Sequence, residues 1–387
     1  MKILRVITSM NPEHGGVVEA VSSMAKRFNS NDLTTDVLCF DEKDSKWILA
    51  EGDYNIYGVG RRYTGYGINF AYFSWLIKNA SSYDVVILDG LWQFHILGGY
   101  VLKLLGVPYC VFTHGMLDPY FNKNKLKYIK KLPFWFLVER NVISLANAVI
   151  FTCEDESQLA EKSFPYFVAE PRIATLGVQA NAKDEAMLKS AFYSSFPDLI
   201  NKRFILFLSR IHPKKGIDLL IDAVAKVNIL PSDMVFVIAG PDQSGETEKL
   251  QRRAKELGVE SRFKWVGMLT GNIKWGAYAA AESFILPSHQ ENFGIVVAEA
   301  LSTSTPVLIT NKVNIWREID AAGAGFVEDD DVDGVKNLLN RWFELTTKEK
   351  LVMTMNAKAC YQNNFSIESA VADLEKVLLN VINTPRK

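Results

Sequence analysis

The chain has 387 residues, 48% of them hydrophobic and 22% charged, with a net charge of −1. That length exceeds one ordinary core and implies two domains, and the composition excludes a disordered chain. The balanced charge gives no overall pull toward nucleic acid, so no nucleic-acid partner is expected. The four cysteines, Cys39, Cys110, Cys153 and Cys360, lie far apart with no C-x-x-C pair. They read as buried free thiols and not as a metal site or disulfide framework. The apolar part of the amino terminus is short for a signal peptide, and no window approaches the ~20 apolar residues that span a bilayer. A cytoplasmic location is expected.

Lys2 to Ser9 reads as a buried first strand, followed by a polar loop ending in Gly15-Gly16. From Val17 to Phe28 the apolar residues Val17, Val21, Met24, Ala25 and Phe28 share one helical face. Strand, glycine loop and helix open a doubly wound sheet, whose ligands lie at strand carboxyl ends. Gly15 and Gly16 admit backbone amides close to a phosphate, although the G-x-G-x-x-G fingerprint is absent. Further strands are expected at Thr35 to Phe40, Val85 to Leu88, Tyr109 to Thr113 and Ala148 to Thr152, with helices between them. Thr113-His114-Gly115 falls at a strand end, on the ligand side. His14 and His95 read as structural, although His14 adjoins Gly15 and is placed to touch an acceptor. Residues 122–131, NKNKLKYIKK, carry five lysines and precede Pro133-Phe134-Trp135-Phe136-Leu137. They read as a solvated helix face followed by a core segment, or as a surface attracting anionic lipid.

Ile173 to Val178 is expected to be the last strand and turn of the first domain, and polar Gln179 to Asn201 to hold the junction. The boundaries are drawn at 1–180 and 181–365, with a carboxy-terminal helix in 366–387. Arg203 to Ser209 starts a second doubly wound unit, and the loop after it carries Arg210, Lys214, Lys215 and Gly216. Arginine grips phosphate through a planar fork and lysine supplies a compact charge. A helix from Leu219 to Val227 and strands at Met234 to Ala239, Phe263 to Gly267 and Pro306 to Thr310 follow. The acidic run Glu328 to Asp333 precedes a helix over Val335 to Phe343, so it reads as capping rather than metal binding. The last helix spans Ile367 to Val381.

The richest stretch is Ser288 to Leu301, SHQENFGIVVAEAL, preceded by a strand ending at Leu286-Pro287. It reads as strand, loop and helix, with the helix beginning near Gly294. A helix start presents unpartnered N–H groups and partial positive charge, which suits a phosphate. Glu291 lies in the loop and Glu299 about a turn and a half into the helix. Carboxylates accept hydrogen bonds from vicinal diols. Acids flanking an anion-binding helix end suit a diphosphate carried between two sugars, as in a nucleotide sugar.

These residues resemble the E-x7-E motif of the retaining glycosyltransferases of family four. The resemblance implies an α/β GT-B fold: two doubly wound Rossmann-like domains with the active site in the interdomain cleft and the carboxy-terminal helix packed on the first domain. It implies that Glu291 contacts the transferred sugar and Glu299 the ribose, while Arg210 and Lys215 hold the leaving diphosphate with amides near Gly294 and Ile295. It also implies that Gly15 and Gly16 approach the donor phosphate, that His114 lies near the sugar and reacting centre, and that Val266 and Gly267 meet the base through backbone atoms. Asn292 and Phe293 complete the donor loop; Asn292 stands where the family often has glycine. The activity implied is metal-independent, cofactor-free transfer of a hexose with retention, from a UDP-glucose-like donor or, second, GDP-mannose. The acceptor implied is a saccharide or lipid-linked saccharide, in exopolysaccharide or envelope assembly, with peripheral contact to an anionic membrane. The alternatives are a nucleotide-sugar epimerase of similar fold and an inactive nucleotide-sugar-binding protein.

Overall fold

A computed structural model describes residues 1–29, 33–49, 52–227 and 229–384, with only the main chain at His14 and Asn29. The role weighed for the His14 side chain therefore falls outside the described residues, as do the last three residues of the 366–387 segment. The chain forms two compact units, Met1–Gly177 with Ile367–Lys387, and Val178–Ser366.

The first unit holds a seven-stranded sheet of β1 (Lys2–Val6), β2 (Thr34–Cys39), β3 (Ile56–Gly58), β4 (Val85–Asp89), β5 (Tyr109–Phe112), β6 (Ala148–Phe151) and β7 (Pro171–Ile173). Its spatial order is β3-β2-β1-β4-β5-β6-β7, all parallel. The central strands are buried along their length because helices cover both faces, and continuous apolar runs such as Val85–Leu88 fit that setting. The helix Gly16–Asn29 packs beside the carboxy-terminal helix Ile367–Asn383, with Arg27 Nε 3.5 Å from a Glu368 carboxylate oxygen. The last strand is Pro171–Ile173, so the stretch to Val178, expected as strand and turn, is mostly the exit from this unit.

The second unit holds a six-stranded parallel sheet: β8 (Arg203–Leu208), β9 (Met234–Ala239), β10 (Phe263–Gly267), β11 (Ser283–Leu286), β12 (Val307–Thr310) and β13 (Gly325–Glu328). The order is β10-β9-β8-β11-β12-β13. The polar stretch read as a junction contains the helix Glu185–Ser195, capped by Asp184 and packed on the helix Gly271–Ala280. Gly276 makes that packing close: a β-carbon there would lie 2.1 Å from the Leu188 carbonyl oxygen. The chain enters and leaves this unit side by side, Val178 N–H donating to the Phe365 carbonyl at 2.9 Å. All four cysteines are buried and unbridged.

In each sheet the strand order reverses once, between β1 and β4 and between β8 and β11. Ligands of doubly wound sheets bind outside the strand carboxyl ends at such a switch point. The loops after β8 and β11, which carry Arg210, Lys215 and Glu291, flank the switch of the second unit.

Candidate functional site

Backbone packing brings the two loops of the second unit together. Gly216 adopts a φ of +67°, and a β-carbon on it would fall 1.9 Å from the Pro287 carbonyl oxygen. Only glycine permits both the left-handed turn and this approach. The Lys214 carbonyl is then clamped from the opposite loop, accepting from the Ser288 hydroxyl at 3.0 Å and the His289 N–H at 2.9 Å. The result is an ion pair between the largely buried Lys215 ammonium and the Glu291 carboxylate. Arg210, on the same loop, is exposed and has no ion-pair partner among the described residues.

Glu291 is fixed through its main chain. Its N–H donates to the Lys312 carbonyl at 2.8 Å, and its own carbonyl accepts from Asn314 N–H at 3.0 Å. The helix Ile295–Ser302 follows, with Gly294 at its start in a left-handed conformation, φ 71°. A β-carbon at 294 would crowd Glu291 Cγ at 3.2 Å and Val313 Cγ1 at 3.3 Å. Its N-cap residue is glycine, which supplies no capping side chain, and a helix start of this kind suits an anion. Asn292 is half-buried in the connecting loop. Phe293 is turned inward against Phe365, with ring centroids 5.8 Å apart, so it offers main chain and not a ring to the surface.

Glu299 lies deeper in the same helix, its side chain 7% exposed. One carboxylate oxygen accepts from the Lys274 ammonium at 2.6 Å and the other from the Tyr278 hydroxyl at 3.0 Å. Burial, and then the Glu299 charge, hold the Tyr278 hydroxyl well above its ordinary pKa, so it acts as a donor. Neither Lys274 nor Tyr278 stands out in the sequence; one resembles a solvated lysine and the other a core aromatic. At the end of β10 a bulge between Trp265 and Gly267 leaves Val266 with no residue opposite it in β9. The Gly267 carbonyl accepts from Gly240 N–H at 2.8 Å. Within the acidic run, Asp331 caps the helix Val332–Glu344 through Gly334 N–H at 2.7 Å, and Asp330 lies 3.1 Å from His289 Nδ1.

In the first unit, Gly15 closes the short 3-10 turn Pro12–His14 and Gly16 opens the following helix. Asp41, which the sequence did not single out, ties down this loop. It accepts from Ser9 hydroxyl at 2.8 Å, Met10 N–H at 2.7 Å and the Trp47 indole N–H at 2.9 Å.

The His114 side chain is enclosed within the first unit. Its imidazole is only 2% exposed, stacked on Phe112 at 4.2 Å, with Nε2 2.8 Å from an Asp89 oxygen. Asp89 also accepts from Arg5 Nε at 2.9 Å and Nη2 at 2.5 Å. Burial alone would raise the Asp89 pKa, but the Arg5 charge and hydrogen bonds, with the His114 bond, hold it at about 2. The ring thus faces a carboxylate that only accepts, so Nε2 carries the proton. What residue 114 exposes is its main chain, at a φ of +49°. Buried Glu156 secures both neighbours, accepting from the Thr113 hydroxyl at 2.5 Å and Gly115 N–H at 2.6 Å. His95 is buried as well, its pKa lowered to about 4 by burial.

Residues 14–176 match the family model described as Glycosyltransferase Family 4, and residues 196–360 match the one described as Glycosyl transferases group 1. An amino-terminal and a carboxy-terminal glycosyltransferase domain, each built on a Rossmann-like parallel sheet, place the chain in the GT-B glycosyltransferase superfamily. Among curated proteins it is similar to a D-inositol 3-phosphate glycosyltransferase of Mycolicibacterium smegmatis, 34% identical over 28% of this chain and 25% of that protein. The enzyme of the same description from Mycobacteroides abscessus is 30% identical over 44% of this chain and 38% of its own length. The matched stretches thus span less than half of either relative. Among solved structures, Anabaena HepE in complex with UDP and glucose has a TM-score of 0.74 at 19% identity, covering 98% of this chain and 100% of that one.

Proposed function

We propose that this protein is a retaining hexosyltransferase that uses a nucleotide-sugar donor, UDP-glucose-like first and GDP-mannose second. The observation that carries the reading is the juxtaposition of Lys215 and Glu291 across the switch point of the second unit, beside the start of the helix that holds Glu299. Breaking the bond between the sugar carbon and the diphosphate oxygen builds negative charge on the leaving group. Arg210, Lys215 and the amides near Gly294 and Ile295 meet that charge. A preorganised donor of this kind contributes on the order of 10²-fold in rate. Glu291 anchors the sugar and releases Lys215 to the phosphate as donor binds; Glu299 receives the ribose diol. Attack on the same face, assisted by the leaving phosphate, retains the anomeric configuration. No metal is needed in this scheme, so activity should survive a chelator. That HepE was solved with UDP and glucose, and that the curated relatives are named glycosyltransferases, supports the reading.

The test is a thermal-shift screen of nucleotide sugars followed by hydrolysis and transfer assays with the best hit. Stabilisation by a UDP- or GDP-hexose, with release of the nucleoside diphosphate, is expected. Conversion of the donor to an epimer without any acceptor would favour an epimerase. Binding without turnover under any acceptor condition would favour an inactive binding protein.

The proposed acceptor is a saccharide, free or lipid-linked, in polysaccharide assembly, and the lysine-rich segment gives that idea a physical basis. It folds as the helix Lys125–Phe134, capped by Asn124, followed by a π turn at Trp135–Glu139. The run after the lysines is less of a core than its sequence suggests. Trp135 alone is fully buried there, stacked on Phe164, whereas Leu126, Ile129 and Leu137 are 73%, 60% and 72% exposed. Exposed apolar residues among lysines suit the surface of an anionic membrane, each near-surface lysine contributing about 1 kcal/mol. No helix among the described residues is long and apolar enough to cross a membrane. Vesicle co-sedimentation should show stronger recovery with anionic than with neutral lipid; equal recovery would remove the membrane contact.

A further inference from the structure

We propose that Lys274 and Tyr278 are positioning residues that orient Glu299 for a ribose diol and so set the preference for ribonucleotide over deoxyribonucleotide. The inference rests on the donor-site reading above and goes beyond it by assigning a role to two residues outside the motif.

The geometry is specific. Lys274 and Tyr278 are four residues apart on the helix Gly271–Ala280, so they share one face. Each reaches a different oxygen of Glu299, Lys274 at 2.6 Å and Tyr278 at 3.0 Å. An ionised carboxylate has about four lone-pair sites on its two oxygens. The two donors occupy one site on each oxygen and leave one on each, held in a fixed plane. A remaining acceptor site on each oxygen of one held carboxylate matches the paired hydroxyls of a vicinal diol. A deoxyribose fills only one of them and leaves the other oxygen short of a donor, which costs binding.

Lys274 has a second consequence. A bare carboxylate beside a diphosphate would repel it. The Lys274 ammonium cancels that charge at longer range while its hydrogen bond keeps the diol sites open. Its side chain is 25% exposed and also lies 5.1 Å from the Trp275 ring, which restricts its freedom to turn away. Tyr278 is fully buried, so its hydroxyl cannot turn to water in place of Glu299.

The experiment measures calorimetric affinities for UDP and 2′-deoxy-UDP, and for the guanosine pair, on wild type, Lys274→Gln, Lys274→Arg and Tyr278→Phe. Thermal denaturation first confirms that each variant is folded. Wild type should favour the ribonucleotide by about tenfold or more, since a hydrogen bond to a charged group is at stake. Lys274→Gln and Tyr278→Phe should compress that ratio to within about threefold, and Lys274→Arg should restore it. If both nucleotides weaken by the same factor, the ratio staying at its wild-type value, the residues merely support the fold and the inference fails. If wild type binds neither series, the donor reading fails first and takes this inference with it.

Discussion

At the switch point of the first unit, Arg5, Asp89 and His114 side chains are buried, and Asp89 accepts from both of the others. At that of the second, Lys215 and Glu291 meet at the mouth of two loops, Arg210 is exposed, and the following helix starts at a glycine N-cap. One strand-order reversal therefore supports two uses of charge. In the first unit charged side chains hold a strained main chain in place, residue 114 at φ +49° among them. In the second, glycine-mediated backbone contact holds the loops, while Lys215 and Glu291 pair with each other and Arg210 stays exposed. Substitutions in the first unit should accordingly cost stability, and those in the second should cost binding and rate.

The largest expected effect breaks the buried network. Arg5→Met removes the cation from buried Asp89, leaving it the His114 bond, and should cost about 3–5 kcal/mol in denaturant unfolding. The pH dependence has a definite sign. The Asp89 pKa is depressed from 3.8 to about 2, so its contribution is present above pH ~4 and is lost as pH falls toward ~2. The variant should lack that acid-side decline, while the nucleotide affinity of its folded form stays near wild type. A stable variant with donor binding abolished would break the comparison.

Next comes Lys215→Ala, expected to lower turnover by roughly 10²-fold, about 2.7 kcal/mol in barrier, with a melting temperature close to wild type. Steady-state assay beside thermal denaturation checks both halves. Near-normal transfer would defeat the electrostatic role.

A subtler effect sharpens the view of the first unit. Glu139 is buried and accepts the N–H of Trp92, itself at φ +66°, at 2.9 Å. Burial raises the Glu139 pKa from 4.5 to about 8, against the opposing Trp92 bond and Lys131 charge. A raised pKa contributes stability fully below pH ~4.5 and loses it as pH rises through ~8. Glu139→Gln, which keeps an acceptor for Trp92, should flatten that alkaline decline in a series of melting temperatures. Parallel curves for the two proteins would show that Glu139 ionises freely.

Most of the central strands were legible because strands buried on both faces leave continuous apolar runs, as in Met234–Ala239, found at the bounds expected. The three-residue β3, Ile56–Gly58, and the short β13, Gly325–Glu328, give no such run and were not foreseen. The loop chemistry around Glu291 was readable since proline, glycine and charge cluster locally. Contacts between distant positions were not. Arg5 and Asp89 are 84 residues apart, and Lys274 and Glu299 are 25 apart on different helices. One signal was present: a charged residue inside the apolar run Ile3–Val6 has to find a buried partner. The inward turn of His114 had no such marker, because a histidine at a strand end has the same sequence whichever way its ring faces.

The most direct test of the donor site is calorimetric titration of UDP, UMP and uridine into wild type and Lys215→Ala. Wild type should favour UDP over UMP strongly, and Lys215→Ala should erase most of that preference while uridine affinity stays unchanged. A Lys215→Ala protein that keeps the wild-type preference for UDP over UMP would contradict the claim that this loop captures the diphosphate.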